Sequence, residues 1–257
     1  MMKVLLAVLL LLFLWPPAEV YALAGKVMDA KTQTPVVGAF VALGDQGVRT
    51  DQDGRFQLDA NADTVKVKAA DYQRREVPVE GKAEIDLSLE PLQVKALYLT
   101  VYGVAVPRIR EAAIAALERN HMNALVIDIK GDRSFIPFPV DIPLAKEVGA
   151  QNTILVKDMR AMVAALKEKN LYLIARIVVF KDNLLATAKP EWAVRTKGGA
   201  FFKDRERLRW VDPFRREAWD YNIALAKIAA ELGFDEVQFD YVRFPDNRGV
   251  GLFPARQ

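Results

Sequence analysis

The sequence predicts a small β-sandwich followed by a parallel α/β unit. Two observations carry this: short alternating apolar runs broken by turn residues up to about Pro91, and longer apolar runs separated by helical periodicity after it. The chain has 257 residues, 52% of them hydrophobic, which is enough to bury two cores and excludes a disordered or low-complexity protein. Its 36 basic and 33 acidic residues leave a net charge of only +3, so no nucleic-acid partner is expected. The absence of cysteine excludes disulfide scaffolds, cysteine nucleophiles, iron–sulfur clusters and cysteine-bound zinc. His121 is the single histidine, which excludes a multi-histidine metal centre. No cofactor and no metal are expected, and any hydrolytic chemistry must rest on carboxylates.

Residues 1–24 read as an export signal. Lys3 gives the positive start, Val4 to Trp15 is uninterrupted and apolar, and Pro16-Pro17 ends the run. A membrane-spanning helix needs about 20 apolar residues, so this run is too short to span. Ala22 and Ala24 form an A-x-A cleavage pattern, with Val20 and Ala22 as the alternative. A retained anchor is the competing reading. A lipid-modified anchor is excluded, because no cysteine follows the run. The expectation is export to the periplasm, the cell surface or the medium, with no stable membrane insertion.

Residues 25–92 form the expected sandwich. Val27, Ala39 to Leu43, Phe56 to Leu58, Val65 to Val67 and Ile85 to Leu89 are its strand candidates. Asp53-Gly54 is a hairpin signal, since glycine supplies a positive φ without steric cost. Asp51 and Asp53 are turn formers here; the other ligand positions of a calcium loop are absent. Gly25-Lys26-Val27, Asp29, Pro35-Val36-Val37-Gly38-Ala39, Val41, Thr50 to Phe56 and Asp71-Tyr72 resemble the carboxypeptidase regulatory-like domain family.

Residues 93–257 change period. Ala96 to Val101, Ala124 to Asp128, Leu171 to Val179 and Glu236 to Asp240 read as buried strands. Ile109, Ala113, Ala116 and Leu117 mark one helix face, and Met159, Met162, Val163 and Leu166 a second. A third helix is expected to begin at Asp212-Pro213, carry Tyr221, Leu225, Ile228 and Leu232, and stop at Gly233. Strands alternating with helices imply a parallel sheet with crossovers. Four β/α units fit either a small open sheet or half of a (β/α)₈ barrel, which typically takes about 250 residues. The expectation is the first half of a barrel, truncated at the C-terminus.

In parallel α/β folds the site lies at the carboxyl ends of the strands. Two apolar strands end there in Asp128 and Asp240. Arg176 interrupts a third apolar strand and should face one of these carboxylates, because a buried guanidinium without a partner is costly. A structural ion pair is the competing reading. Trp210, Asp212, Tyr241, Arg243, Phe201 and Phe202 crowd the same end, a mixture that suits a carbohydrate cleft. The Lys203 to Arg207 run reads as a solvated loop, and His121 as a helix-end residue.

Lys95 to Thr100, Val126 to Lys130, Ile174 to Asp182, Trp210 to Pro213 and Phe234 to Pro245 resemble a bacterial family of glycosyl hydrolase domains, distantly related to alpha-amylase-like barrels. The Phe-Asp-Tyr-x-Arg-Phe-Pro block from Phe239 is the most specific part. The resemblance implies a TIM (β/α)₈ barrel acting on a polysaccharide or oligosaccharide, with Asp240 as nucleophile. It also implies that the acid/base carboxylate follows a later strand. Asp240 and Asp128 are thus the catalytic candidates; Arg176, Trp210, Asp212, Tyr241 and Arg243 are the substrate-binding ones. The rival readings are a non-catalytic carbohydrate-binding or envelope scaffold, and a nuclease or phosphatase with a metal on Asp128, Asp132 and Asp240.

Overall fold

The computed structural model describes residues 22–59, 62–246 and 250–255. The chain divides into two compact units between Gln93 and Val94, one residue beyond the expected boundary. Most of the expected export signal lies outside the described residues. Its last three residues, Ala22 to Ala24, open the first strand. Among the described residues no helix is long and apolar enough to cross a membrane.

The first unit contains β1 (Ala22–Asp29), β2 (Phe40–Leu43), β3 (Gln46–Arg49), β4 (Arg55–Asp59), β5 (Thr64–Lys68), β6 (Arg75–Pro78) and β7 (Leu87–Leu89). They form two sheets, β4-β1-β7 and β3-β2-β5-β6. Alternate residues of β1, β2, β4, β5 and β7 point into one shared core that includes Val27, Val41, Phe56, Val65 and Leu87. β3 and β6 were not expected. Both are edge strands with no buried side chain, so they lack the alternation that marks a strand in sequence.

Asp53-Gly54 does not close a hairpin. The strands on either side of it, β3 and β4, belong to different sheets, and the turn carries the chain from one sheet to the other. Asp51 Oδ1 accepts from the Asp53 and Arg55 amides at 2.9 and 2.7 Å, the turn-forming role read for it. Gly54 has φ +72°, and a Cβ there would sit 2.6 Å from the Val27 carbonyl oxygen. The two-residue hairpin of this unit is Gly44-Asp45, between the paired residues Leu43 and Gln46.

The second unit contains β8 (Ala96–Leu99), α1 (Val101–Ala105), α2 (Pro107–Arg119), β9 (Ala124–Lys130), α3 (Pro143–Glu147), α4 (Met159–Glu168), β10 (Tyr172–Val178), α5 (Asn183–Ala188), β11 (Arg195–Thr196), α6 (Arg216–Leu232), β12 (Glu236–Asp240) and β13 (Val250–Leu252). The four long strands form a parallel sheet in the order β12-β10-β9-β8. Each joins the same growing edge in chain order, a succession common to β/α barrels and to singly wound open sheets. One face, with Leu125, Ile127, Leu173, Ala175 and Ile177, is packed with α4 and α6 residues such as Val163 and Leu225.

Element boundaries differ from expectation for local reasons. β8 stops at Leu99 because the Thr100 side chain accepts from the Gly103 amide and starts α1 at once. On α2 the buried residues are Ile114 and Leu117, and the expected Ile109 is exposed. α6 starts at Arg216, not at Asp212-Pro213, because the Asp212 side chain first closes a turn by accepting from the Phe214 amide. Its end is as expected: Gly233 takes a left-handed φ of +99°.

Candidate active site

Side chains alternate between the faces of a strand, and the face away from α4 and α6 brings Tyr98 (β8), Asp128 (β9), Arg176 (β10) and Asp240 (β12) to one region. The parallel register sets Arg176 beside Asp128 on one side and Gln238 on the other. Arg176 Nη1 donates to Asp128 Oδ1 at 2.7 Å. Its Nε donates to Asp240 Oδ2 at 2.8 Å, and Nη2 lies 2.7 Å from the same oxygen. Nη2 also reaches Asp132 Oδ1 at 3.2 Å. The Tyr98 hydroxyl donates to Asp128 Oδ2 at 2.6 Å and accepts from Arg176 Nη1 at 3.2 Å. Arg176 therefore pairs with both expected carboxylates at once, and with a third.

These contacts separate the carboxylates electrostatically. Burial dominates at Asp128 and raises its pKa against the hydrogen bonds from Tyr98 and Arg176, with the Asp132 charge adding to the rise. At Asp240 burial also pushes upward. There it is outweighed by the Arg176 hydrogen bond, the Tyr241 amide and the charges of Arg176 and Arg243, so the carboxyl is held below its ordinary value. Burial works against the Arg176 charge, but Asp128 and Asp240 more than compensate and raise its pKa. Asp240 is thus an ionised, accessible group. Asp128 is 2% exposed, and each of its oxygens already accepts from the protein.

Tyr241, the residue after Asp240, lines a polar cleft of about 250 Å³ together with Lys181, Asp204, Glu206, Trp210 and Arg243, among others. Tyr241 follows Asp240 with φ +55°, a left-handed backbone that a tyrosine rarely adopts, and its amide donates to Asp240 Oδ1 at 2.6 Å. Lys181 Nζ stands 5.0 Å and the Arg243 guanidinium 5.1 Å from the Tyr241 ring centroid. Lys181 is itself buried and bonded to Glu206 at 2.9 Å.

The structure reassigns several expected site residues. Asp212 is fully buried, and its oxygens accept from the Phe214 and Ala255 amides at 2.9 and 2.7 Å, so it holds backbone rather than substrate. Trp210 is 2% exposed, packs with Val179, Phe180, Val194 and Phe202, and donates to Asp204 Oδ2 at 3.0 Å. It walls the cleft instead of offering a ring face. Arg176 spends Nε, Nη1 and Nη2 on carboxylates and is their charge partner, not a substrate contact. Asp128 is buried, with its two oxygens engaged by Tyr98 and Arg176. Tyr241 and Arg243 do line the polar cleft. The Lys203 to Arg207 run is not simply solvated, because Asp204 and Glu206 turn inward to Trp210 and Lys181.

Sequence reasoning assigned no role to Tyr98, Lys181 or Glu206, and gave Asp132 only a metal-ligand role. Asp132 has a signal, since it sits just past a strand that ends among carboxylates. The three aspartates of the metal-dependent reading surround the Arg176 guanidinium, so a cation already stands at their centre. Among the described residues no group of three or more acidic or histidine side chains is arranged to hold a metal.

Similarity to known proteins bears on this unit. No curated protein matches the chain. A hypothetical protein from Ruminiclostridium thermocellum is 34% identical with a TM-score of 0.56, over 63% of this chain and 83% of that one. An alpha-L-fucosidase from Paenibacillus thiaminolyticus (16% identity, TM-score 0.42) aligns over 58% of this chain and 23% of its own. A chitobiase from Flavobacterium johnsoniae (14%, 0.41) aligns over 79% and 31%. The chain spans less than a third of either enzyme, and neither bears on its activity. Residues 96–253, more than half of the chain, match the family described as "Putative glycosyl hydrolase domain", and the protein belongs to that family.

Proposed function

We propose that this chain is an exported glycoside hydrolase acting on a polysaccharide, with its α/β unit the first half of a (β/α)₈ barrel. The first unit, read as a carboxypeptidase regulatory-like sandwich, serves as an accessory module. One observation carries the reading. Asp240 ends β12 at the strand mouth, its carboxylate held below its ordinary pKa by Arg176 and still 39% exposed, and the next residue, Tyr241, lines a polar cleft with Arg243. An ionised, positioned carboxylate is what a glycosidic carbon needs as nucleophile or as charge stabiliser. Membership of a glycosyl hydrolase-like family supports it.

The leader reading sharpens on the fold. Leu23 is buried and paired with Leu58, so a cut after Ala24 removes a core residue, whereas a cut after Ala22 keeps it. The second site is therefore the one proposed.

Asp240→Asn keeps the shape of the side chain and removes its charge. It should lower the release of reducing ends from a panel of soluble polysaccharides by about 10³-fold or more, with an unchanged melt. Undiminished release would remove Asp240 from the chemistry. Saccharide binding that survives the substitution, with no product from either protein, would turn the reading to the scaffold alternative.

A further inference from the structure

We propose that residues 195–209 form a binding surface for an anionic polysaccharide, one whose sugar units carry carboxylate or sulfate groups. The surface leads such a polymer to the cleft lined by Tyr241. The inference rests on the glycosidase reading above and names the substrate class which that reading leaves open. Arg195, Lys197, Lys203, Arg205, Arg207 and Arg209 give the segment six basic residues against two acidic ones, Asp204 and Glu206. That is a surplus of four in a chain whose total surplus is three, so elsewhere the two signs nearly balance. Charge gathered in one place raises the local concentration of an opposite polymer, whereas the same charge spread over the surface does not.

The fold engages the acidic side chains of the segment and leaves the basic ones unanswered. Asp204 Oδ1 accepts from the Glu206 and Leu208 amides, both at 2.9 Å, and Oδ2 accepts from Trp210 Nε1 at 3.0 Å. Glu206 is held by the buried Lys181 at 2.9 Å. The Asp204 amide donates to the Leu208 carbonyl at 3.0 Å, which closes a loop with Arg205, Glu206 and Arg207 at its tip. Lys197, Lys203, Arg205 and Arg207 are exposed. The Arg195 and Arg209 guanidinium groups lie 3.8 and 4.3 Å from the Phe201 ring centroid. Their hydrogen bonds go to the Pro190 and Gly199 carbonyls and to the Thr187 hydroxyl. Among the described residues, none of the six basic side chains is paired with a carboxylate. An arginine presents a planar fork of donors that grips two oxygens of an anion at once. Arg205 lines the same cleft as Tyr241 and Arg243, which joins this surface to the residue that follows Asp240.

The test runs the full chain in native gels cast with two matched pairs of polymers: polygalacturonate and its methyl ester, and dextran sulfate and dextran. The expected result is retardation by an anionic member and not by its neutral twin. It should vanish at about 1 M salt, where charges are screened beyond roughly 3 Å. Retardation by polygalacturonate alone identifies a carboxylate polymer, and by dextran sulfate alone a sulfated one. The triple variant Lys203→Gln, Arg205→Gln and Arg207→Gln should raise the dissociation constant by about 10-fold or more. A control carrying Lys31→Gln, Arg108→Gln and Arg119→Gln loses the same charge from exposed positions elsewhere and should bind as the parent does. No retardation by either anionic member, equal retardation by the neutral ones, or equal weakening in the control overturns the assignment while leaving the glycosidase reading in place. Retardation by double-stranded DNA and by neither anionic polysaccharide overturns it in favour of a nucleic-acid surface. Retardation by an anionic member, with no reducing ends released from any of the four polymers, supports the surface and turns the site to the scaffold alternative.

Discussion

In the sandwich, the buried polar side chains among the described residues are Asp29 and Thr50; both bind backbone, Asp29 also accepts from the Tyr72 hydroxyl at 2.9 Å, and neither is ion-paired. Asp29 Oδ1 accepts from the Lys31 and Thr32 amides, and Thr50 Oγ1 accepts from the Ala39 amide and donates to the Val36 carbonyl. In the α/β unit, Asp128, Lys130, Arg176, Lys181 and Asp182 are buried and meet one another's side chains or those of Tyr98, Asp240 and Glu206. A buried polar group that holds local backbone is explained by the fold alone. One that spans strands to reach another charge carries a desolvation cost that local structure does not require, and such groups gather where function needs them. Asp212 lies in the second unit but behaves like the sandwich residues, which is why it leaves the list of site residues.

The pair that separates the two units most is Lys130–Asp182. Its atoms are 2.6 Å apart with both side chains out of solvent, and the Lys130 ammonium lies 4.7 Å from the Tyr221 ring centroid. Burial pulls the Lys130 pKa down, and the Asp182 charge and hydrogen bond oppose this. Lys130→Met leaves the Asp182 carboxylate buried without its cation, and should cost the α/β unit about 3–5 kcal/mol. Trp192, Trp210 and Trp219 all lie in this unit, and the sandwich has no tryptophan. Fluorescence in a urea series should therefore show an early transition in the variant, while exchange of the sandwich amides stays as it was. An unchanged tryptophan midpoint would mean that the ion pair adds nothing to the fold.

This contrast also explains what the sequence makes legible. All four long strands of the second unit, the first unit's buried strands and the Gly233 stop follow from period and turn chemistry, which are local. The Arg176 partnership follows too, because a charge inside an apolar strand must be answered. Lys130 and Asp182 pair across 52 positions, and Asp132 reaches Arg176 across 44, so no local pattern announces either. Trp210 and Asp212 mislead for the opposite reason. Their residue types fit a sugar cleft, and only packing shows that their polar atoms are already engaged. β3 and β6 escape notice because an edge strand with nothing buried has no periodic signature.

A smaller test concerns the corner between the two sheets. Gly54→Ala imposes a side chain at φ +72° and drives its Cβ against the Val27 carbonyl oxygen. The cost should be about 1–3 kcal/mol, confined to the sandwich. Faster exchange of the β1 and β4 amides, with an unaltered tryptophan transition, is the expected pattern. If the tryptophan transition moved as well, the two units would not be energetically separate.

The smallest effect expected is a pH dependence of the sandwich at Asp29. The Thr32 amide hydrogen bond is the main influence holding its carboxyl below the ordinary value; burial opposes it, and the Tyr72 hydroxyl, 2.9 Å from Oδ2, and the Lys31 amide add to the lowering. A carboxyl whose pKa is lower in the folded state stabilises it fully above the unfolded value of 3.8, and that contribution fades as pH falls through the folded value. Asp29→Asn keeps an oxygen for both amides and removes the charge. The variant should therefore melt below the parent at neutral pH, and the difference should close in strong acid. A gap that stays constant from neutral pH into strong acid would show that the charge is irrelevant and that shape alone matters at this turn. Asp29 would then resemble Thr50, a neutral clasp on backbone, and the charged buried groups of the α/β unit would have no counterpart in the sandwich.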